Sequence, residues 1–216
     1  MALDVMQLSL GPIGTNCYIV RQVGSPEAVV VDPSADAATI RLELAARGAR
    51  CAAILITHGH WDHLGAVADL AEGTGAPVHM AEQERDLLEH APDHTPPGVY
   101  IRPYTPDVLL LGDELLDLAG IRFQTLSVPG HSPGHLAYAA DGALFSGDVL
   151  FAGSVGRTDL PGSAWETLLA SLRSLVETLP ADTVVYPGHG PATTLASELA
   201  SNPFLGELRA SREETG

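Results

Sequence analysis

The sequence predicts an α/β fold in which two β-sheets pack face to face with helices on the outside. Three observations lead there. Strand-like apolar runs interrupted by helices occur twice over similar lengths. Four segments that carry histidine or aspartate each follow such a run, which places them on loops at a common sheet edge. Turn residues separate the runs of the second half, and Asp141-Gly142 is a strong two-residue hairpin signal.

Residues 6–10, 17–20 and 28–32 read as strands of an antiparallel meander. A helix is expected over 36–47, with Ile40, Leu42, Leu44 and Ala45 on its apolar side and Gly48 as its stop. The buried strand 52–56 follows, then a helix over about 65–72, a strand at 78–80 and a helix over 81–90. Residues 91–106 hold five prolines and read as a loop that could overhang the site. In the second half, strands are expected at 108–111, 114–118, 121–128, 136–140 and 143–146. The helix over 164–178 opens on a capping box, Ser163 and Glu166, and aligns Trp165, Leu168, Leu169, Leu172, Leu175 and Val176 along one face. A strand at 183–186 and a helical segment from about Thr194 complete the chain, and residues 1–216 read as a single domain.

The 27 acidic residues oppose 11 basic ones, all arginine, for a net charge of −16, which repels phosphate backbones and counts against nucleic acid as a partner. An anionic substrate would need a local cation, either a metal or a placed arginine such as Arg157. No stretch is long and charge-free enough to span a bilayer, and Met1-Ala2-Leu3-Asp4-Val5 lacks the basic region and apolar core of a signal peptide. A cytoplasmic protein without membrane contact is expected. Cys17 and Cys51 sit in apolar runs as buried thiols, in keeping with a reducing compartment.

The chemistry concentrates in Thr57-His58-Gly59-His60-Trp61-Asp62-His63, in Pro129-Gly130-His131-Ser132-Pro133-Gly134, in Ser146-Gly147-Asp148 and in Tyr186-Pro187-Gly188-His189-Gly190. Imidazole with carboxylate suits zinc, and also iron or manganese. In an extended or turning segment His58 and His60 point the same way, whereas Asp62 and His63 turn toward a second ion, so the spacing favours a dinuclear centre. Glycines 59, 65, 134 and 188 are expected where the backbone must bend tightly. His79, His90 and His94 read as core or surface residues, and His135 as a hydrogen-bonding neighbour of the site. Tyr138, Trp61 and Phe151 are candidates to line a pocket, with Arg157 and Tyr138 named as substrate-binding residues.

These motifs, in order and context, resemble the metallo-β-lactamase superfamily across essentially the whole chain. The resemblance implies an αββα sandwich of two mixed sheets with metals at the edge between them. By it, His58, His60 and His131 would hold one ion, Asp62, His63 and His189 the other, and Asp148 would span both. Two divalent ions are implied, zinc by preference. Aspartate at position 148 and the Asp62-His63 pair resemble the small single-domain relatives of glyoxalase II, the hydroxyacylglutathione hydrolase-like enzymes. The family's glutathione-contacting lysine corresponds to Arg157 and the tyrosine after it to Asp159, and the basic C-terminal helical extension has no counterpart.

Such a centre ionises water near neutral pH, so the expected reaction is attack of hydroxide on a small-molecule thioester. Asp62 and Asp148 belong to the catalytic centre as ligands, and Asp62 would act as a base only in a one-metal version. The same ligand order also fits an iron persulfide dioxygenase, although Gly188-His189-Gly190-Pro191 favours the hydrolase. A lactonase, an esterase or a weak β-lactamase would use the same chemistry, and the chain would be a monomer or homodimer.

Overall fold

A computed structural model describes the backbone of residues 2–213 and the side chains of residues 2–209. The first half runs β1 (Leu3–Leu10), β2 (Thr15–Gln22), β3 (Glu27–Val31), α1 (Ala37–Ala46), β4 (Arg50–Leu55), α2 (Trp61–Leu64), α3 (Val67–Thr74), β5 (Val78–Ala81), α4 (Arg85–Glu89) and β6 (Val108–Leu110). The second half contains β7 (Leu115–Leu118), β8 (Ile121–Ser127), β9 (Leu136–Ala140), β10 (Ala143–Gly147), β11 (Leu150–Phe151), β12 (Ser154–Val155), α5 (Trp165–Thr178), β13 (Val184–Pro187), β14 (Thr193–Thr194), α6 (Leu195–Ser201) and α7 (Gly206–Glu213).

Strands β1 to β6 lie in sequence order in one sheet, antiparallel through β3 and parallel from there. The other sheet has the order β14, β13, β10, β9, β8, β7 and is antiparallel except where β10 meets β13. Both sheets are therefore mixed, as expected.

Period-two alternation sorts the apolar side chains into three cores. Cys17, Ile19, Ala28, Val30 and Ile54 face α1 and α3, packing on Ile40, Leu44, Val67 and Leu70. Their neighbours Tyr18, Val20, Val29, Val31 and Leu55 face the opposite way and meet Phe123, Tyr138 and Phe145 of the second sheet. On its outer side that sheet presents Ala137, Leu144 and Val185 to Leu168, Leu172 and Leu175 of α5. Full burial of each such leucine contributes about 1.5–3 kcal/mol. The layers are helix, sheet, sheet, helix.

Helix α1 starts at Asp36, whose carboxylate accepts from the Thr39 amide, and ends at Gly48 in the left-handed region. The capping box expected at α5 does not form. Ala164 occupies the N-cap position, and the Ser163 hydroxyl instead closes a turn on Leu160. The segment expected as one helix over 81–90 is split into a 3-10 turn, Glu82–Glu84, and α4. No helix among the described residues is long and apolar enough to cross a membrane.

Candidate metal centre

Four loops bring the site together, each leaving the end of a strand: β4 into α2, β8 into β9, β10 into β11, and β13 into β14. The first motif is only partly extended. His60 has extended dihedrals and caps α2, and Asp62 and His63 sit in the first turn of that short helix. Alternation thus applies to His58 and His60, and it is the helical turn that swings Asp62 and His63 to their own side.

All seven expected donors converge. His58, His60 and His131 form one group whose ring nitrogens lie within 4.8 Å of one another, and Asp62, His63 and His189 form a second. Asp148 stands between the groups. Its Oδ1 is 3.4 Å from His63 Nε2, and its Oδ2 is 3.4 Å from His189 Nε2 and 3.6 Å from His131 Nε2. His60 Nδ1 and His131 Nε2 are 2.8 Å apart, and Asp62 Oδ2 lies 3.4 Å from both His63 Nε2 and His189 Nε2.

The outer hydrogen bonds fix which ring nitrogen is bare. His131 Nδ1 donates to the Arg157 carbonyl at 2.9 Å, leaving Nε2 as an acceptor directed at the cluster. His63 Nδ1 donates to Asp32 Oδ2 at 2.9 Å. The Thr57 hydroxyl also donates to Asp32 Oδ2, at 2.7 Å, so His58 Nδ1 is the donor in its 3.0 Å contact with Thr57. His58 Nε2, His63 Nε2 and Asp148 Oδ1 are then buried with no hydrogen-bond partner. Orphaned lone pairs gathered in this way are costly in a folded chain, and cations bound to the His58 group and to the His63 group, on either side of Asp148, would satisfy them. By this test the residues present fit a pair of divalent ions.

Electrostatics divide the cluster in the same way. Burial pushes the His58 ring well down and His60 down to about 4, with neighbouring imidazoles adding to the effect. Burial also opposes a charge on His63, but the carboxylates of Asp148 and Asp32 outweigh it and push that ring up. Hydrogen bonds to Asp148 and Asp62 push His189 up to about 9. The two rings pushed up are the ones beside the carboxylates of Asp62 and Asp148, the side of the cluster where positive charge is favoured.

Gly147 and Gly188, on either side of the Asp148 carboxylate, admit no side chain. A Cβ on Gly188 would overlap Asp148 Oδ1, and Gly147 has φ +49° with the Thr57 and His135 side chains close against it. Gly59, Gly65, Gly134 and Gly188 were expected at tight bends, yet none has a positive φ; what each lacks is room for a side chain.

A cleft of about 640 Å³ opens over the cluster, lined in part by Ile13, Trp61, Leu87, Arg157, Leu160 and the segment Asp93 to Pro96. Of the proline-rich segment expected as a loop, residues 93–96 line the cleft, and Ala91–His94 forms a 3-10 turn. Phe151 lies against His189, with ring centroids 5.9 Å apart. Tyr138 is a correction: it is fully buried in the core between the sheets, and its hydroxyl donates to the Ile56 carbonyl at 2.7 Å, so it does not reach the cleft. Arg157 lies at the cleft, but its guanidinium is held by Asp159 through contacts of 2.6 and 2.7 Å. His135 accepts the Asp148 amide on Nε2 and stacks on His58, as expected of a neighbour of the site. His79 is buried, and His90 and His94 contact Asp86 at the surface, His94 also reaching the cleft.

Three supporting residues were not anticipated. Asp32 receives Thr57 and His63, and its position just after the apolar run of β3 was the available signal. Thr15 donates to Asp62 Oδ2 at 2.7 Å. Glu84, buried and without a basic partner, accepts the Gly59 amide at 2.9 Å and the Gly134 amide at 2.7 Å, joining the loops of His60 and His131. Nothing in its surrounding sequence marks it.

A family model described as the metallo-beta-lactamase superfamily matches residues 10–189. Hydroxyacylglutathione hydrolase GloC of Haemophilus influenzae is 34% identical over 198 residues, 88% of this chain and 92% of that protein. Among solved structures, the B3 metallo-beta-lactamase BLEG-1 is 39% identical with TM-score 0.88, covering 94% of this chain and 100% of that one. A protein crystallised in a di-iron-bound form is also 39% identical, with TM-score 0.75 over 93% of this chain and 100% of its own.

Proposed function

This chain belongs to the metallo-beta-lactamase superfamily, and from that premise we propose that it is a metal-dependent thioester hydrolase of the hydroxyacyl-thiol type. The observation that carries the reading is the convergence of seven donors, three of their buried polar atoms orphaned, on the floor of a cleft sized for a small molecule. The hydroxyacylglutathione hydrolase among its relatives supports the thioester.

In this reading His58, His60 and His131 would hold one ion and Asp62, His63 and His189 the other, with Asp148 standing between the two groups as a further ligand. The ions are zinc by preference, and the di-iron neighbour makes iron the alternative to measure. A bound pair would supply a Lewis acid and a water ionised near neutral pH. The chain's own residues do the rest. Asp32, Thr57 and the Arg157 carbonyl keep the imidazoles in the tautomers that offer bare nitrogens inward. Trp61 and the Asp93 to Pro96 segment wall the cleft and limit water around the scissile carbonyl. Thiols ionise near pH ~8.5, so a thiolate departs without a side-chain acid, and among the described residues the cleft offers none beyond the donors themselves, Asp93 and His94. The setting is a small soluble substrate in the cytoplasm, which agrees with the two free thiols, Cys17 and Cys51.

The test is metal content of the purified protein beside a thioester panel that includes S-lactoylglutathione. Hydrolysis lost on chelation and in Asp148→Ala is expected. One iron per chain with oxygen consumed on glutathione persulfide, or turnover of a β-lactam in preference to every thioester, would overturn the assignment.

A further inference from the structure

The charge around the outer cleft defines the substrate class more narrowly. Away from the metal donors, the apolar part of the wall is Ile13, Trp61, Leu87, Leu160 and Pro161, and the Thr95 and Ser132 side chains add neutral hydroxyls. Ile13 is 55% exposed, a large apolar side chain left open to solvent at the mouth. The charged groups there do not make an anion site. Arg157 is the one arginine lining the cleft among the described residues, and Asp159 engages its Nε and Nη2 with both carboxylate oxygens. His94 contacts the Asp86 carboxylate, and Asp93 contributes a further negative charge. The outer wall is thus apolar with a negative balance, on a chain whose net charge is already −16.

Resting on the thioester reading, we infer that the thiol portion of the substrate is an uncharged, largely apolar group, and that Asp159 sets this preference by occupying the guanidinium that would otherwise take a carboxylate. A thiol bearing carboxylates would have to displace Asp159 from Arg157 and leave that aspartate unpaired beside it. Beyond Arg157 the outer lining offers an anion only His94, itself against Asp86, and the neutral hydroxyls of Thr95 and Ser132, whereas an alkyl, aryl or amide-bearing thiol buries its surface against Trp61, Leu87 and Leu160.

Affinity for ligands that cannot be hydrolysed tests this independently of turnover. S-hexylglutathione and its diethyl ester share a tripeptide backbone and differ by two negative charges and two ethyl groups; calorimetric titration of the metal-loaded protein compares them, and the response of their ratio to a change at Asp159 isolates the charge. The diester should bind about 3- to 10-fold more tightly, as exposed charge interactions of this kind allow. In Asp159→Asn, an exposed position where folding is not at stake, the ratio should move toward the free acid by about 2- to 5-fold. Equal or tighter binding of the free acid by the unaltered protein, or an unmoved ratio in the variant, would overturn the inference. A chain that prefers the diester yet hydrolyses no thioester would instead refute the proposed reaction while leaving the character of the cleft established.

Discussion

Replacing Glu84 by glutamine exchanges one carboxylate oxygen for an NH2 group and alters nothing else in shape. In the folded protein both oxygens are occupied, one by the Gly59 amide at 2.9 Å and the other by the Gly134 amide at 2.7 Å, in a side chain only 1% exposed. A glutamine can accept from one of these amides, but it must turn its own N–H groups toward the other. One charge-assisted hydrogen bond, worth about 1.5–3 kcal/mol, is lost, and a buried donor is left facing a donor. The expected destabilisation is about 3 kcal/mol, which for a chain of this length lowers Tm by roughly 6–12 °C. Gly59 precedes His60 and Gly134 follows His131 by three residues, so the same change loosens the pair of rings whose nitrogens stand 2.8 Å apart. Thermal and urea unfolding of the metal-free protein give the first number, and competition with a chromophoric chelator reads the second effect as weaker binding of one of the two ions. Glu84→Ala, which removes both acceptors, should be no better. A Glu84→Gln variant within about 0.5 kcal/mol of the parent, with unchanged metal affinity, would refute the reasoning.

Two further predictions concern the supports of the site and of the second sheet. Asp32→Asn leaves one acceptor oxygen for the Thr57 amide, the Thr57 hydroxyl and His63 Nδ1, which loosens the hold on the His63 tautomer and should weaken metal binding by about 10- to 100-fold; an affinity within twofold of the parent would show that Asp32 does not orient the ring. Glu114 is slightly buried, which opposes its charge, but amides of Leu111 and Gly112 and the Thr125 hydroxyl hold its carboxyl down at about 2 against an ordinary 4.5. A depressed carboxyl adds stability that is fully present above pH 4.5 and fades as pH falls toward 2. Glu114→Gln should therefore cost under about 1 kcal/mol at neutral pH, after solvent screening, and the gap in urea midpoint between variant and parent should close on acidification; a gap constant with pH would contradict this.

The layers were legible because alternation and apolar periodicity are local properties of the chain. Cys17, Ile19 and Val30 against Tyr18, Val29 and Val31 show the alternation directly. The two-residue strands β11, β12 and β14 were not, since so short a run carries no period. The composition of the candidate site was legible because few residue types bind metals, and the structure brings the seven side chains expected there together. Which face a residue presents was harder. Tyr138 was expected at the pocket from its aromatic ring, yet its place in β9 between Leu136 and Ala140 puts it on the face toward the other sheet. Glu84 and Thr15 act through contacts with partners 25 and 47 residues away, a distance no local pattern encodes.

The donors are drawn from both halves of the chain: four from the loop behind β4, and His131, Asp148 and His189 from the loops of the second sheet. Only docking of the two sheets through Tyr18, Phe123 and Phe145 gathers them. Ion binding therefore reports on assembly of the whole sandwich, and a hundredfold excess of free ion over its dissociation constant adds about 2.7 kcal/mol to global stability. A strong chelator then acts as a mild denaturant, and the temperature of unfolding becomes a gauge of how well the cell supplies metal.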